Sequence, residues 1–326
     1  MRAPPDGVSE REVVAAVAEG WGLDVAGAEY APVGGGSYHW RVDGDGRRWF
    51  VTVDDLDRKG WLGADREAVF AGLRAAFDAA LGLRDGCGLE FVLGPVPSLD
   101  GESLRWVGPR HSVAVFPLVE GSVVSSGQGL TPGAGGELGR MLARLHATPP
   151  VARPCALQPP ERGDLERAMD ELDREWAGGP LAEPARALLA RGAAGVRRLL
   201  ETFDDLAARV AARGVEPVVT HGEPHAGNVL RTPGGGLLLI DWDTVGLGPP
   251  ERDLWLVDAD ARSGRDVDPD AMRLYELRWW LNDISSYLAV LRRPHIRTAD
   301  TEHALRVLGT LTPSPRGGGQ GGGTLR

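Results

Sequence analysis

The chain has 326 residues, of which 42% are hydrophobic and 25% charged, and its formal net charge is −10. This length allows two lobes with separate cores, and the acidic charge argues against nucleic acid as the main partner, because a polyanion would be repelled. The two cysteines, Cys87 and Cys155, form neither a disulfide framework nor a metal-binding pattern. No apolar run is long enough to span a membrane, and the N-terminus lacks a signal-peptide pattern. We therefore expect a soluble cytoplasmic protein without a membrane partner.

A helix and a small antiparallel sheet are predicted near the N-terminus. Residues 9–22 carry apolar side chains at helical spacing, with Ser9 as the N-cap and Glu12 as its capping-box partner. The sequence Asp-Gly-Asp-Gly at 43–46 predicts a tight turn, and the following strand at 48–53 is expected to pair with the strand before the turn.

A glycine-rich turn precedes this hairpin. Gly35, Gly36 and Ser37 lie between two predicted strands. Such a turn can be a simple hairpin loop, or its backbone N–H groups can approach nucleotide phosphates, since glycine permits close contact. We predict that these three residues contact phosphates, because a candidate catalytic loop follows later in the chain.

The middle of the chain is predicted to alternate strands and helices. The segment 122–132 is rich in Ser and Gly and is predicted to be a linker, and the proline-rich segment 148–160 is predicted to cross the surface. We expect His146 to pack at a helix terminus rather than to take part in catalysis. The predicted elements are helices at 65–83, 137–147, 161–177, 182–213 and 270–292, with strands at 90–92, 103–106 and 111–117.

Polar residues gather around a short hairpin at 218–243. Two apolar runs flank a Pro-Gly-Gly-Gly turn, which predicts paired strands. A carboxylate that accepts a hydroxyl proton, together with an Asn and an Asp that hold Mg²⁺ on phosphates, makes up the set of residues needed for metal-assisted phosphoryl transfer. The loop before the first strand carries His221, Glu223, His225 and Asn228, and Asp241 follows the second strand.

Two other interpretations of this loop stay open. His221 and His225 could bind zinc, although Gly222 and Pro224 prevent the helical His-Glu-x-x-His arrangement. The loop could also be purely structural, because loops collect His, Asn and Asp for turn geometry. We prefer the kinase interpretation, since the spacing of the carboxylate, the Asn and the final Asp matches the catalytic loop of protein kinases.

The hairpin also resembles that of a known family. Its sequence, His-Gly-Glu-Pro-His-Ala-Gly-Asn at 221–228 and Ile-Asp-Trp-Asp at 240–243, resembles the aminoglycoside phosphotransferase family of small-molecule kinases, and the resemblance extends from about Gly34 to about Arg293. One departure is Glu223, which stands where the family usually has Asp. Glu has the same chemistry on an arm longer by one methylene.

The resemblance implies a fold and a set of roles. The fold is α+β and bilobal, of the protein-kinase type, with a small antiparallel sheet in an N-lobe at 1–117 and a mostly helical C-lobe at 118–312. Beyond the resemblance, the glycine-rich composition of residues 313–326 predicts a disordered tail. No long activation loop separates the hairpin from the next predicted helix, which favours a constitutively active small-molecule kinase. The implied roles are Glu223 as the base, Asn228 and Asp241 as Mg²⁺ ligands with Asp243 assisting, and His221 and Asp253 as supports of the loop.

Nucleotide binding is the weakest part of the resemblance. The strand lysine that reaches the α- and β-phosphates is missing, because its expected position is Thr52. Lys59, the only lysine of the chain, lies in the following loop and could reach the phosphates or be an ordinary solvated side chain. Glu67 could pair with that lysine, as in the family, or could simply favour a helix N-terminus. Backbone groups from Phe116 through Leu118 to Val119 are implied to read the adenine edge.

The late helix at 270–292 is the candidate substrate wall. Glu276, Trp279 and Asp283 flank its apolar stripe, and in the family acidic residues from late helices pair with substrate amino groups. These residues could equally be surface carboxylates beside core tryptophans.

The sequence thus predicts ATP-dependent phosphorylation of a small-molecule hydroxyl. The resemblance alone implies an aminoglycoside or aminocyclitol acceptor, of the spectinomycin-kinase type. Two alternatives are a kinase of the same fold that acts on an amino alcohol or a sugar, and a non-catalytic nucleotide-binding relative, which Glu223 and the missing strand lysine suggest.

Overall fold

The computed structural model of the protein describes residues 1, 3–123, 130–262 and 264–312. The chain divides into two compact units, which are described separately. The first unit contains Met1–Cys155 and Pro217–Arg265, and the second contains Ala156–Glu216 and the chain from Asp266 onward. The predicted tail at 313–326 and part of the predicted linker, residues 124–129, lie outside the described residues.

A five-stranded antiparallel sheet forms the N-terminal part of the first unit. The turn between its second and third strands has Asp45 and Gly46 at positive φ (52° and 69°), the conformation that joins antiparallel strands in a tight hairpin. The strands are β1 Val25–Ala31, β2 Tyr38–Gly44, β3 Arg47–Asp55, β4 Arg105–Val107 and β5 His111–Pro117. Their order across the sheet is β1-β2-β3-β5-β4.

Two helices pack on this sheet. Helix α1 Glu10–Trp21 begins with the predicted capping box, in which Ser9 and Glu12 exchange hydrogen bonds, and it buries Val13 and Val17 against one face. Helix α2 Arg66–Leu81 contributes Leu73 and Phe77 to a second cluster with Leu104 and Ala114. Both predicted helices are confirmed. The apolar stripe expected along α2 is buried at all five positions, Val69, Leu73, Ala76, Phe77 and Ala80.

The predicted hairpin lies in the same unit. Strands β8 Val229–Arg231 and β9 Leu237–Leu239 pair antiparallel, and β6 Ser122–Val123 joins β8. A second pair, β7 Val218–Thr220 with β10 Gly246–Gly248, brackets the candidate catalytic loop. Two helices complete this region, α3 Pro132–His146 and α6 Glu251–Leu254.

The second unit is helical. Its helices are α4 Arg162–Asp170, α5 Ala182–Arg213, α7 Pro269–Arg292 and α8 Ala299–Leu311. Its core joins apolar residues of α5 and α7, and α7 also packs on α8. The apolar stripe expected along α7 is buried at all five positions, Leu274, Leu277, Leu281, Ile284 and Leu288. No helix among the described residues is long and apolar enough to cross a membrane.

Several predicted boundaries are wrong. The run 90–92 is not a strand, because residues 90 and 91 lie in a turn, in which the Val92 amide donates to the Leu89 carbonyl at 3.0 Å, and only Val92 forms a bridge, to Leu239. The helix predicted at 137–147 begins at Pro132, since Thr131 caps it and proline suits its first turn. The helix predicted at 161–177 ends at Asp170, and α8 was not predicted at all.

Candidate active site

The candidate catalytic loop brings together the two predicted metal ligands. Asn228 immediately precedes β8 and Asp241 lies two residues after the end of β9, so the two residues meet at one end of the hairpin, where the Ile240 amide donates to the Asn228 carbonyl at 3.0 Å. The Asn228 side-chain nitrogen donates to the Glu223 carbonyl at 2.9 Å. The side-chain oxygen of Asn228 is therefore the atom that could bind a cation.

Asp253 supports the start of the candidate catalytic loop by accepting hydrogen bonds from its backbone. Its two carboxylate oxygens accept hydrogen bonds from the backbone amides of His221 (3.0 Å) and Gly222 (2.6 Å). His146 Nε2 donates to the same carboxylate at 2.8 Å, because its Nδ1 accepts from Arg265 at 2.9 Å. Burial alone would raise the pKa of Asp253, but the hydrogen bond from His146 and the positive charge of the nearby Arg252 hold that pKa below its ordinary value.

His221 links the loop to the hairpin. Its Nε2 donates to the Ile240 carbonyl at 3.0 Å, and its Nδ1 accepts from the Glu223 amide at 3.2 Å. The ring packs edge-on against Trp242, with centroids 4.5 Å apart. Burial lowers the pKa of His221 to about 4, so the ring is neutral near pH 7. With both nitrogens engaged in the fold, His221 lies in a supporting position rather than a zinc-binding one.

The backbone at Gly222 lies too close to the Arg252 guanidinium to accommodate a Cβ atom. Its φ is 98°, and a Cβ added there would lie 2.3 Å from Arg252 Nη2. Arg252 cannot easily retreat, because its guanidinium donates to the Thr220 hydroxyl and the Thr244 carbonyl, each at 2.7 Å. The glycine after the loop histidine is therefore a packing requirement.

Replacing Gly222 with alanine should destabilise the first unit. We compare it with Gly235→Ala, since Gly235 also has a positive φ (86°) but open space around its Cβ position. Both changes strain the backbone, but only the first creates a clash, so Gly222→Ala should lower the free energy of unfolding by about 1–3 kcal/mol more than the control. Urea unfolding of the two variants measures this difference, and equal losses would contradict the packing account.

Asp241 has an unusual backbone conformation. Its φ is 67°, in the left-handed region, which non-glycine residues occupy mainly at turns and functional sites. Although Asp241 is accessible to solvent, the protein around its carboxylate and the neighbouring Asp243 raise its pKa to about 7. A carboxylate crowded by another carboxylate is a site that a cation would stabilise.

Lys59 is buried, so its interpretation as a solvated lysine is wrong. Its ammonium lies 3.0 Å from Asp54 Oδ1 and 2.5 Å from Asp243 Oδ2, and its side chain is only 2% exposed. Burial by itself would lower the pKa of Lys59, but Asp243 and Asp54 more than offset this and raise it above its ordinary value. The predicted pairing with Glu67 is also wrong, because Glu67 is exposed in the first turn of α2 and Lys59 pairs with the two aspartates instead.

The glycine-rich turn is accessible, but Ser37 points inward. Gly35 and Gly36 are exposed, and nothing lies within 4 Å of a Cβ added at either position. The Ser37 hydroxyl donates to Asp54 at 2.5 Å, and Ser37 is buried. The two glycines are thus placed to meet a ligand, whereas the Ser37 side chain is already engaged.

The predicted adenine-reading segment follows β5. Phe116 is paired across the sheet with Phe50 and packs edge-on against Phe77, with ring centroids 5.6 Å apart. The Leu118 amide donates to the carbonyl of Arg48 at 3.3 Å, and Val119 is half-buried beside it.

The three predicted substrate residues lie on α7 of the second unit. Glu276 is paired with Arg273 at 2.6 Å on the surface of the helix. Asp283 is different, since burial raises its pKa to about 7 against the opposing effect of a hydrogen bond from Trp279. Asp283 is therefore the stronger candidate for binding a positively charged group.

The residues present fit a magnesium ion shared with a nucleotide. Among the described residues, no group of three or more His, Cys, Asp and Glu side chains could hold a metal by itself. Mg²⁺ in phosphoryl-transfer sites needs only one or two protein oxygens, with phosphates and water completing the coordination. Asn228 and Asp241 supply such oxygens, whereas one oxygen of Asp243 is committed to Lys59.

The sequence did not reveal the roles of Asp54, Arg252 and Arg265, nor the contact of His146 with Asp253, although His146 lies at the helix terminus where it was predicted to pack. Asp54 shares the face of β3 with Thr52, because side chains alternate along a strand. The only sequence signal for Asp54 was that an acidic residue lies near the end of a predicted strand, on the face expected to be buried. The others act through contacts of more than 30 residues' separation, which no local pattern reveals.

Comparison with known proteins identifies the family. Residues 29–292 match the model of the phosphotransferase enzyme family, APH. The chain belongs to this family. It is 30% identical over 311 residues to protein StrN of Streptomyces griseus, a match that covers 90% of this chain and 89% of StrN.

Solved structures show the same fold. The crystal structure of spectinomycin phosphotransferase APH(9)-Ia, in complex with ADP and spectinomycin, superposes with a TM-score of 0.69 at 17% identity, covering 93% of this chain and 94% of that one. A microcompartment-associated aminopropanol kinase gives 0.55 at 17% identity (92% and 94% covered), and choline kinase LicA from Streptococcus pneumoniae gives 0.53 at 13% (93% and 99%).

These findings confirm the predicted family and the bilobal kinase-like α+β fold. This APH-family protein is an enzyme, a small-molecule kinase that transfers a phosphoryl group to a hydroxyl group.

Proposed function

We propose that this APH-family enzyme transfers the γ-phosphate of ATP to a hydroxyl group of a small cationic molecule, an aminoglycoside or aminocyclitol. The observation that carries the proposal is the meeting of Asn228 and Asp241 at the end of the hairpin, beside a loop that Asp253 and His221 hold in place. In a phosphoryl transfer the protein mainly positions the reactants and stabilises charge, so a rigid loop of this kind is the required element.

Each residue has a proposed role. Glu223 orients the acceptor hydroxyl and accepts its proton, while Asn228 and Asp241 hold Mg²⁺. When bound, Mg²⁺ shields the negative charge of the phosphates. The backbone of Gly35 and Gly36 covers the phosphates. The segment from Phe116 through Leu118 to Val119 contacts the adenine.

The substrate class is inferred from the second unit and from the relatives. Asp283 is a largely buried carboxylate whose pKa is raised by burial, and Trp279 lies within hydrogen-bond distance of it, which supports a site for a positively charged group. Choline and aminopropanol, for which two of the structural relatives are named, each combine a hydroxyl with a positively charged nitrogen. We propose that Asp283 binds the cationic nitrogen of the substrate, with Trp279 beside it.

Removing the charge of Asp283 should stabilise the protein while weakening substrate binding. Because the folded-state pKa of Asp283 is raised from 3.8 to about 7, its ionisation opposes folding increasingly as pH rises from about 4 to 7. Asp283→Asn should therefore be more stable than the wild type by roughly 2–4 kcal/mol at pH 8, and the gain should vanish below about pH 4. Urea unfolding across this range measures the effect.

The matched control is Glu276→Gln on the same helix, since Glu276 is surface-paired with Arg273. The Glu276→Gln variant should show no comparable gain in the free energy of unfolding between pH 4 and 8. If Asp283→Asn is no more stable at pH 8 than at pH 4, or binds the cationic acceptor as tightly as the wild type, the proposed role of Asp283 is contradicted.

The test of the function is ADP release from MgATP across a panel of aminoglycosides, aminocyclitols, amino alcohols and neutral sugars. We expect release that depends on an acceptor of the first two classes. ADP release only with amino alcohols or sugars would contradict the proposed substrate class and would indicate a metabolite kinase. Nucleotide binding with no release on any acceptor would favour a non-catalytic relative.

A further inference from the structure

A buried series of one hydrogen bond and two ion pairs joins three separate parts of the first unit. The Ser37 hydroxyl donates to Asp54 at 2.5 Å, Asp54 lies 3.0 Å from the Lys59 ammonium, and Lys59 lies 2.5 Å from Asp243. These four residues, which we name the lysine bridge, connect the end of the glycine-rich turn, strand β3 and the segment that follows β9.

The position of Lys59 does not suit direct binding of nucleotide phosphates. Its side chain is 2% exposed, its ammonium donates to Asp243 and lies 3.0 Å from an oxygen of Asp54, and the centroid of the Trp61 ring lies 5.4 Å from the ammonium. A lysine that anchors phosphates presents its ammonium to the ligand. The ammonium of Lys59 is instead paired with two carboxylates of the protein.

The charges around Lys59 explain why it is buried there. Asp54 is 1% exposed, and its Oδ2 has no hydrogen-bond partner among the described residues. Lys59 is the cation nearest to this carboxylate and to Asp243, which is two residues from Asp241. Without Lys59, two buried carboxylates would be left unpaired beside the candidate metal ligand, an arrangement that is strongly unfavourable.

The lysine bridge also lies on strand β3, the strand that was expected to carry the phosphate-binding lysine. Thr52 stands where that lysine is expected, and Asp54 lies two residues further along the same face of β3. A short 3₁₀ turn at Leu56–Arg58 reverses the chain and returns Lys59 to this face. The cation therefore reaches the same strand from the following loop, with two carboxylates as its partners.

We propose that Lys59 is a positioning residue that fixes Asp243, and through it the left-handed conformation of Asp241, against strand β3 and the glycine-rich turn. It acts on the carboxylates of the metal motif and does not contact the nucleotide. The inference rests on the proposed kinase function for its catalytic consequence, while the bridge itself can be tested without any substrate.

The first test is a stability cycle of Lys59→Met, Asp54→Asn and the double variant. Lys59→Met should lower Tm by roughly 10 °C, because it leaves buried charges unpaired. The double variant should recover part of this loss, since it removes one charge of each sign. Arg66→Met is the control, because the Arg66–Asp57 pair is exposed and should contribute little. Additive losses in the cycle would overturn the bridge.

The second test uses the fact that Lys59 is the only lysine in the chain, so that ¹⁵N-lysine labelling gives a single side-chain ammonium signal. The signal should be present without ligand, because burial and ion pairing slow proton exchange, and ADP added with EDTA should not shift it. A shift caused by metal-free ADP would overturn the positioning role in favour of phosphate contact. If calorimetry detects no binding of ADP, with or without Mg²⁺, the proposed function fails, and the stability cycle still decides the bridge.

The third test separates binding from turnover. The Asp54→Asn variant keeps Lys59 and removes only the negative charge of Asp54. Because that carboxylate is buried and negatively charged, it cannot itself bind phosphates, so any loss of turnover comes from the bridge. We expect Asp54→Asn and Lys59→Met each to lower kcat by about 10²-fold or more while metal-free ADP affinity stays within about threefold. Loss of ADP affinity in Lys59→Met with normal kcat in Asp54→Asn would overturn the proposal.

Discussion

Asp241→Asn is expected to lower kcat by at least about 10²–10³-fold, the loss found when one electrostatic stabiliser of a transition state is removed. Asparagine is the informative replacement, because it tolerates the left-handed conformation that Asp241 adopts at φ 67°. The change therefore removes the charge without adding backbone strain. Since Asp241 is crowded by Asp243, the variant should be as stable as the wild type or more so.

The measurement is kcat with MgATP and the best acceptor, together with Tm on the same preparations. Asp6→Asn is a matched control, since Asp6 is an exposed residue of the same unit. A folded Asp241→Asn enzyme that keeps wild-type kcat would contradict the assignment of Asp241 as a metal ligand.

Asp253→Asn is expected to destabilise the protein strongly. The carboxylate of Asp253 accepts from two backbone amides and from His146, and it is fully buried. An asparagine places an NH₂ group where a carboxylate oxygen accepted, so at least one of these donors loses its partner. We expect the free energy of unfolding to fall by about 3 kcal/mol, with a large loss of turnover because the loop is no longer held.

Urea unfolding at neutral pH and at pH 3 tests this account further. The pKa of Asp253 is below its ordinary value in the folded protein, so its contribution is present above pH 4 and is lost as pH falls through the folded pKa. The difference between wild type and variant should therefore shrink in acid. A difference that stays constant down to pH 3, or a variant with wild-type stability, would show that the charge of Asp253 is not the support of the loop.

Much of the fold was predictable because local signals agreed with the tertiary structure. The capping box of Ser9 and Glu12 and the apolar stripes of α2 and α7 were correct, since the same residues that favour each helix also form its buried face. The hairpin of β8 and β9 was likewise evident from its turn and its apolar runs. The functional roles of Glu223, Asn228 and Asp241 stay predictions that the proposed experiments test.

The errors lie where distant parts of the chain decide the outcome. The partner of Lys59 is Asp243, 184 residues away, so its sequence neighbours could not show that it is buried. Glu67 was predicted to pair with it only because of its place in a helix. The resemblance predicted that Asp253 supports the loop, but not that His146, 107 residues away, contacts Asp253. Residue spacing indicates which groups share a local element, but not which elements meet.

The most direct test of the central claim is transfer of the labelled γ-phosphate of ATP to a cationic acceptor, followed in parallel for wild type, Asp241→Asn and Asp6→Asn. We predict that the wild type and the control phosphorylate a hydroxyl of an aminoglycoside or aminocyclitol in the presence of Mg²⁺, and that Asp241→Asn does so at least about 10²-fold more slowly. Label transfer at equal rates by all three proteins, or no transfer by the wild type to any hydroxyl acceptor, would contradict it.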